Sequence, residues 1–160
     1  MSVPYSVSHY LANTRADYTL VHHDHTASSC ETARLANIKP SSLMKAVVLY
    51  AVGNDHLVMA VVPASHRINL RRVGAVTGME LDILPEDQLA QLFFDCEFGA
   101  VPPFGDAYDI DTVWDDALLE KAELYGEAGD HTELIHIDAV QFRELFWGRP
   151  HGMISEPVVH

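Results

Sequence analysis

Residues 95–110, DCEFGAVPPFGDAYDI, combine residue types that can hold a stretch of backbone rigid beside a ligand. Gly99 has no Cβ, so a ligand can approach its backbone or its φ can become positive. Pro103 fixes φ four residues later. Together they can direct successive N–H groups, such as those of Ala100 and Val101, at one point, where such donors stabilise negative charge developing on a carbonyl oxygen. The alternative is a tight turn that supports the core, and spacing alone favours this second interpretation.

Lys45 is the second candidate, because it stands directly before the apolar run AVVLYAV. Burying a lone ammonium group on an apolar strand is costly, so a lysine at a strand end usually extends its charge to water. The functional alternative is a fixed cation for a phosphate or a carboxylate. Few lysines compete for that role, since the chain contains only two others, Lys39 and Lys121.

A histidine-rich segment, HHDHT at residues 22–26, raises the question of a metal. In a strand, His23 and His25 share one face. Two imidazoles at this spacing can bind zinc, but a site needs a third ligand from elsewhere, for which His131 and His136 are candidates. None of the familiar zinc motifs is present. We therefore expect a site without a metal or another cofactor, and keep a metal site as the minor alternative.

The charge of the chain restricts its partners. Its 160 residues include 10 Lys and Arg against 23 Asp and Glu, a net charge of −13. A basic face is the usual sign of unaided nucleic-acid binding, and the sequence has none. Any nucleic acid is therefore bound locally or presented by another protein.

The sequence also indicates where the protein is located. No apolar run approaches the roughly 18 residues of a membrane span, and the first residues do not resemble a secretory signal. Two cysteines are too few for a disulfide framework. These features predict a soluble cytoplasmic protein.

Hydrophobic periodicity and turn signals predict an α+β fold with a mixed sheet. Two β-branched runs joined by GNDH predict a hairpin, and Ser28 and Glu31 have capping-box spacing at the start of a helix. Asp138 is the predicted N-cap of the last helix. The sequence predicts a single domain over residues 1–160. Residues 147–160 contain two prolines and no period, which predicts a frayed C-terminal tail.

Three segments, in this order and spacing, resemble the YbaK/ProX family of aminoacyl-tRNA deacylases, which is related to the editing insertion of bacterial prolyl-tRNA synthetases. The segments are HTASSCETARLANIKPSSLMKAVVL, DCEFGAVPPFG and EAGDHTELIHIDAVQFREL. The resemblance covers about residues 20–146. It implies a mixed sheet curled toward a barrel, with helices around it.

The resemblance also implies which residues form the site. The family's lysine is matched by Lys45, and its G-x-x-x-P loop by Gly99 and Pro103. Family members hydrolyse the ester between a wrong amino acid and its tRNA, and they use no metal. The catalytic residues implied here are those that position the ester and bind the acceptor end: Lys45, Gly99, Ala100 and Pro103.

The substrate-binding residues implied by the resemblance surround the aminoacyl group. A glycine followed by a polar residue before the penultimate strand is matched by Gly129, Asp130 and His131. The PPF loop interior and the histidine-rich first strand depart from the family where that group would sit. The implied set is His23, His25, Val101, Pro102, Phe104, Gly105, Gly129, Asp130 and His131.

The resemblance therefore implies a trans-editing deacylase that removes a mischarged small amino acid from tRNA. Its partner is an aminoacyl-tRNA acceptor end, delivered by a synthetase or an elongation factor, with no membrane or DNA partner. Two alternatives remain. One is a non-catalytic module that binds an aminoacyl end or a protein through the same pocket. The other is a metal-dependent hydrolase built on His23, His25 and His131.

Overall fold

The computed structural model describes residues 4–25, 29–97 and 99–158, and the Ser28 half of the predicted capping box lies outside them. The helices in this part of the chain are α1 (Tyr5–Asn13), α2 (Ser29–Leu35), α3 (Leu70–Thr77), α4 (Glu86–Leu92) and α5 (Ala139–Phe146). None of these described helices has the length and apolar character needed to cross a membrane.

Ten strands accompany the helices in the described part of the chain. They are β1 (Thr19–His22), β2 (Leu43–Ala51), β3 (Leu57–Pro63), β4 (His66–Ile68), β5 (Leu81–Ile83), β6 (Asp111–Asp115), β7 (Glu123–Glu127), β8 (Glu133–Asp138), β9 (His151–Gly152) and β10 (Ser155–Pro157). Eight of them form one sheet in the order β1-β8-β7-β2-β3-β6-β9, with β5 paired to β2. The sheet has parallel and antiparallel pairs and stays open, which confirms the predicted α+β class and mixed sheet.

Strand β2 is the branch point of the sheet. Along one side it pairs with β3 as the predicted hairpin. Along the other side, Leu43 and Met44 pair with β7, and Leu49–Ala51 pair with β5. The stretch from Lys45 to Val47 lies between these two partner strands. The sheet is therefore forked at Lys45.

Both faces of the sheet are covered, because successive residues of a strand point to opposite sides. Met44 and Val48 of β2 belong to the larger core cluster, which also contains Trp114 and residues of α1 and α5. Leu49 of β2 belongs to a second cluster, with Val73 of α3. The last helix begins as predicted, since the Asp138 side chain accepts a hydrogen bond from the Gln141 N–H at 2.8 Å.

The predicted frayed tail is wrong, because the described residues of the C-terminal segment are ordered against the sheet. Strand β9 joins β6, and β10 pairs with β4. Ile154 is fully buried, and its N–H donates to Asp115 Oδ2 at 3.0 Å. A single buried apolar residue between two short strands leaves no period to detect. Its partners are also far away in the sequence.

Replacing Ile154 by Ala tests whether this segment stabilises the domain. Loss of a fully buried isoleucine should reduce the free energy of unfolding by about 2–5 kcal/mol. Met153→Ala is the matched control, since Met153 is 69% exposed and should change stability by less than about 0.5 kcal/mol. Urea unfolding measures both, and equal values for the two variants would show that the tail does not pack.

Candidate active site

The segment that follows α4 packs against the β7–β8 hairpin. The Glu97 N–H donates to the Gly129 carbonyl oxygen at 2.7 Å. A Cβ atom at Gly126 of β7 would lie 2.5 Å from Pro103 Cγ, so the proline ring rests directly on the strand backbone. A Cβ atom at Gly99 would lie 3.5 Å from His131 Nε2. The first and last positions of the G-x-x-x-P pattern are therefore both in contact with the hairpin.

The backbone of the loop needs glycine at its first position. Gly99 has a φ of +79°, in the left-handed region that favours glycine. The Ala100 N–H donates to the Glu97 carbonyl oxygen at 3.0 Å, so this amide is used inside the turn. Within the described residues, the Val101 N–H has no hydrogen-bond partner. Of the two predicted donors, Val101 remains a candidate for a ligand, whereas Ala100 holds the turn.

The second half of the loop belongs to the core. Pro102 and Pro103 are buried, and the Phe104 ring packs between Tyr10 and Phe146 with both centroid distances at 6.2 Å. A Cβ atom at Gly105 would lie 2.7 Å from the Ile110 carbonyl oxygen. The sequence placed Phe104 and Gly105 at the substrate, but the structure buries both beneath the loop. They support it from the core side.

A small pocket lies beside the loop. It has a volume of about 70 Å³, and its wall combines residues of α4 with the start of the loop: Leu89, Ala90, Phe93, Cys96, Glu97, Gly99 and Val101. Typical ligand pockets have volumes of about 300–1,000 Å³. The pocket therefore has room for a small group only, and Val101, one of the predicted substrate-binding residues, forms part of its wall.

The turn between β7 and β8 is held by Asp130. Its Oδ1 accepts the N–H groups of Thr132 at 3.0 Å and Glu133 at 3.1 Å. Gly129 has a φ of +120° and His131 a φ of +57°, so the turn requires two left-handed residues in three positions. The predicted Gly129, Asp130 and His131 thus form the tight turn that places the His131 ring below Gly99.

A buried polar cluster lies under this turn. Thr32 Oγ1 donates to Glu127 Oε1 at 3.1 Å, and His131 Nδ1 lies 3.6 Å from the same oxygen. His23 is also buried. Burial raises the pKa of Glu127, and the charges of His131 and His23 with the Thr32 hydrogen bond offset this only in part. Sequence reasoning missed Glu127 and Thr32, because neither belongs to a recognisable spacing.

The two predicted histidines of the first strand have different environments. Strand β1 ends at His22, so the expectation that His23 and His25 share a strand face is wrong. The His23 N–H donates to the Thr132 carbonyl oxygen at 2.8 Å, behind the turn. His25 is exposed, and its Nε2 lies 2.7 Å from Glu97 Oε2 while its ring meets the edge of His131. His25 therefore connects the end of β1 to the loop.

No group of three or more His, Cys, Asp or Glu residues within the described ranges is arranged to hold a metal ion. Cys96, which lines the small pocket, has its pKa raised to about 12 by burial, and the neighbouring Asp95 adds to the effect. The nucleophilic form of cysteine is the thiolate. The thiol at this position is therefore protonated at neutral pH and is a poor candidate nucleophile.

Lys45 lies in a groove of about 680 Å³ at the fork of the sheet. The groove adjoins the small pocket, because Leu89 lines both. Lys45, His66 and Arg67 supply its basic side chains, and Glu86 is its only acidic one within the described residues. The groove is thus a local exception to the acidic character of the chain.

The family relationship agrees with this geometry. Residues 23–145 match the model of the aminoacyl-tRNA editing domain, and the chain belongs to this family. The match confirms the resemblance found in the sequence. No curated protein sequence matches the chain significantly.

Several solved structures share the fold. Hypothetical protein APE2540 superposes with a TM-score of 0.82 at 21% identity, covering 94% of this chain and 99% of that chain. A candidate trans-editing enzyme for prolyl tRNA synthetase has a TM-score of 0.77 at 17% identity, covering 97% and 99%. A candidate signal transduction protein from Marinobacter aquaeolei VT8 has a TM-score of 0.74 at 15% identity, covering 96% of this chain and 31% of that one. At these identities the similarity establishes the fold alone.

Glu127→Gln tests whether the buried carboxylate is kept for the site at the expense of stability. Because folding raises the pKa of Glu127, its stabilising contribution is complete below the unfolded pKa of about 4.3 and is lost as the pH rises through the raised value. At pH 8 the glutamine should therefore be the more stable variant, by about 1.4 kcal/mol for each pH unit by which folding raises the pKa.

The comparison uses urea unfolding at pH 8 and pH 4, where the advantage of the glutamine should shrink. Glu144→Gln, an exposed position on α5, removes the same charge and is the control. A Glu127→Gln protein that is less stable than wild type at pH 8 would contradict the assignment.

Proposed function

We propose that the protein is a trans-editing deacylase that hydrolyses the ester bond between a mischarged small amino acid and its tRNA. The observation that carries the proposal is the loop from Gly99 to Pro103, fixed to the β7–β8 hairpin beside a pocket of about 70 Å³. The protein belongs to the aminoacyl-tRNA editing domain family, and this membership supports the same reaction class.

The loop supplies the electrostatic part of catalysis. Water attacks the ester carbonyl carbon, and negative charge develops on the carbonyl oxygen. The Val101 N–H stabilises that charge, which for one such donor contributes about 3 kcal/mol. The carbon–oxygen bond to the ribose then breaks, the ribose oxygen takes up a proton, and the free amino acid leaves as its acid. The rigid loop keeps the amide aimed before the substrate arrives.

The pocket supplies the selectivity. Its walls are Leu89, Phe93 and Val101 among others, and they enclose too little space for a large side chain. A pocket of this kind rejects a larger cognate amino acid by steric exclusion and accepts a smaller wrong one. Hydrolysis by such a second site removes errors that binding to a synthetase cannot prevent.

Lys45 binds the acceptor end as a point charge in the adjoining groove. A chain with a net charge of −13 binds free tRNA weakly, so a synthetase or an elongation factor delivers the substrate.

The alternative of a non-catalytic module is tested with a panel of mischarged tRNAs. Release of any amino acid above the background rate would exclude that alternative. Retention of activity after chelation would exclude the metal-dependent hydrolase.

Gly99→Val tests the role of the loop backbone. A β-branched residue is strained at a φ of +79°, so the backbone should shift and the Val101 amide should lose its position. We expect turnover to fall by at least about 100-fold, the effect of losing one oxyanion donor. Single-turnover hydrolysis of mischarged alanyl-, seryl- and cysteinyl-tRNA measures it.

Gly53→Val is the matched control for this variant. Gly53 has a φ of +91° in the β2–β3 turn, and no atom lies within 4 Å of its Cβ position. The two substitutions introduce similar backbone strain, but only one lies at the site. Equal activities of the two variants would remove the loop from the mechanism.

Lys45→Ala tests the phosphate contact. Loss of a charge-assisted contact should lower kcat/KM by about tenfold without a change in the fold, since the side chain is exposed. Lys45→Arg should restore activity only in part, because a planar fork does not replace a point charge. Lys121→Ala is the control. An unchanged rate for Lys45→Ala on every substrate that the wild type cleaves would exclude Lys45 from the site.

A further inference from the structure

A chain of hydrogen bonds fixes one side chain of the groove wall. Asp115 Oδ1 accepts the Ala117 N–H at 2.8 Å, and its Oδ2 accepts the Ile154 N–H at 3.0 Å and the Ser155 hydroxyl at 2.6 Å. The Ser155 Oγ also lies 2.8 Å from His66 Nδ1. Asp115 and Ser155 are buried, at 2% and 5% exposure, so water does not compete for these contacts.

The direction of these bonds determines the proton positions of His66. Ser155 has one hydroxyl proton, and it is donated to the Asp115 carboxylate. The contact to His66 must therefore use a lone pair of the Ser155 oxygen, with the proton on Nδ1. In the neutral ring this leaves Nε2 as a hydrogen-bond acceptor. Because Nδ1 is held by β10, Nε2 is the ring nitrogen available to a ligand in the groove.

Arg67 is the next residue along the groove. No described acidic side chain forms an ion pair with it, whereas Arg72 on the adjacent helix α3 lies 3.7 Å from Glu156. Its guanidinium presents donors in a planar fork that matches a phosphate. The groove therefore combines an oriented acceptor at His66 with cationic donors at Arg67 and Lys45.

We propose that His66 and Arg67 form, together with Lys45, a binding site for single-stranded RNA backbone. In this site His66 Nε2 accepts a hydrogen bond from a ribose 2′-hydroxyl, and Arg67 binds a phosphate. The inference rests on the proposed function, since the RNA it assigns is the single-stranded end of the tRNA that carries the ester. The 2′-hydroxyl is the group by which a protein distinguishes RNA from DNA at a given position.

The position of the groove fits a strand that leads to the small pocket. The two cavities are neighbours on α4, because Leu89 lines both, so a nucleotide chain in the groove would have its terminal group near the small pocket. Glu86 is the single described acid that lines the groove, and Glu156, which lies opposite Arg67 across the β4–β10 pair, is within 3.7 Å of Arg72. A phosphate chain is therefore favoured in the groove and repelled from most of the remaining surface.

Binding of an uncharged RNA hairpin tests the site without using catalysis. The probe is a fluorescent acceptor-stem hairpin with a single-stranded CCA end, made once with ribose and once with 2′-deoxyribose in those three nucleotides. Fluorescence anisotropy at several salt concentrations gives the affinity and its salt slope. We expect the wild type to bind the ribose end about fivefold more tightly, as one hydrogen bond contributes.

His66→Asn should abolish this preference, because the asparagine amide can replace Nδ1 toward Ser155 but offers nothing in place of Nε2. Arg67→Ala should weaken both probes alike and lower the salt slope by about 0.7, the value for one phosphate on a single strand. Arg143→Ala, an exposed arginine on α5, is the charge-matched control and should change neither quantity. Melting temperatures of all variants confirm that each is folded.

The outcomes separate this site from the catalytic proposal. Equal affinity of the wild type for the two probes, no detectable binding at low salt, or a slope for Arg67→Ala equal to that of Arg143→Ala would overturn the inference even if the protein deacylates tRNA. The expected pattern without any deacylation would retain the RNA site and reject the proposed catalysis.

Discussion

The contact between Pro103 and Gly126 is the constraint on which the site depends. Any side chain at Gly126 would occupy the space of the proline ring, 2.5 Å from its Cγ. This close approach joins the loop to β7, and β7 pairs with β2 at Met44, the residue before Lys45. One contact, between a proline of fixed φ and a glycine without a side chain, thus connects the loop to the strand that carries Lys45. A rigid loop can hold its N–H groups in a fixed place only because it packs this closely against the strand.

The distribution of charge in the protein is also uneven. The chain is acidic, with a net charge of −13, whereas the groove at the fork of the sheet is lined by Lys45, His66 and Arg67 and by a single described acid. Beneath the loop, a buried carboxylate at Glu127 lies among two histidines and a threonine, at a cost in solvation that the fold must offset. This second group lies at the hairpin turn that contacts Gly99.

The sequence predicted the fold class, the β2–β3 hairpin and the Asp138 cap, because each has a local signal, but it did not predict the contact between the glycine–proline loop and the β7–β8 hairpin. It failed where burial is decided by distant partners. Phe104 looks like a pocket wall beside two prolines, but its ring is packed by Tyr10 and Phe146. Ala100 looks like a ligand donor until the turn uses its N–H. His66 gave no signal at all, since its orientation depends on Asp115 and Ser155, which lie far from it in the chain.

The pairing of the forked strand β2 also divides the sheet into two parts. The β1–β8–β7 unit, which carries His131 and Glu127, is paired to β2 only at Leu43 and Met44, whereas β3 is paired to β2 over seven positions. The seam between these two parts is therefore the weakest line of hydrogen bonds in the described sheet around β2, and it passes beside the loop. A small opening along it would move the hairpin that carries Gly126 and His131 relative to the part of the sheet that carries Lys45. Because Pro103 rests on Gly126, the loop would follow the hairpin, and the separation between Gly99 and Lys45 would change.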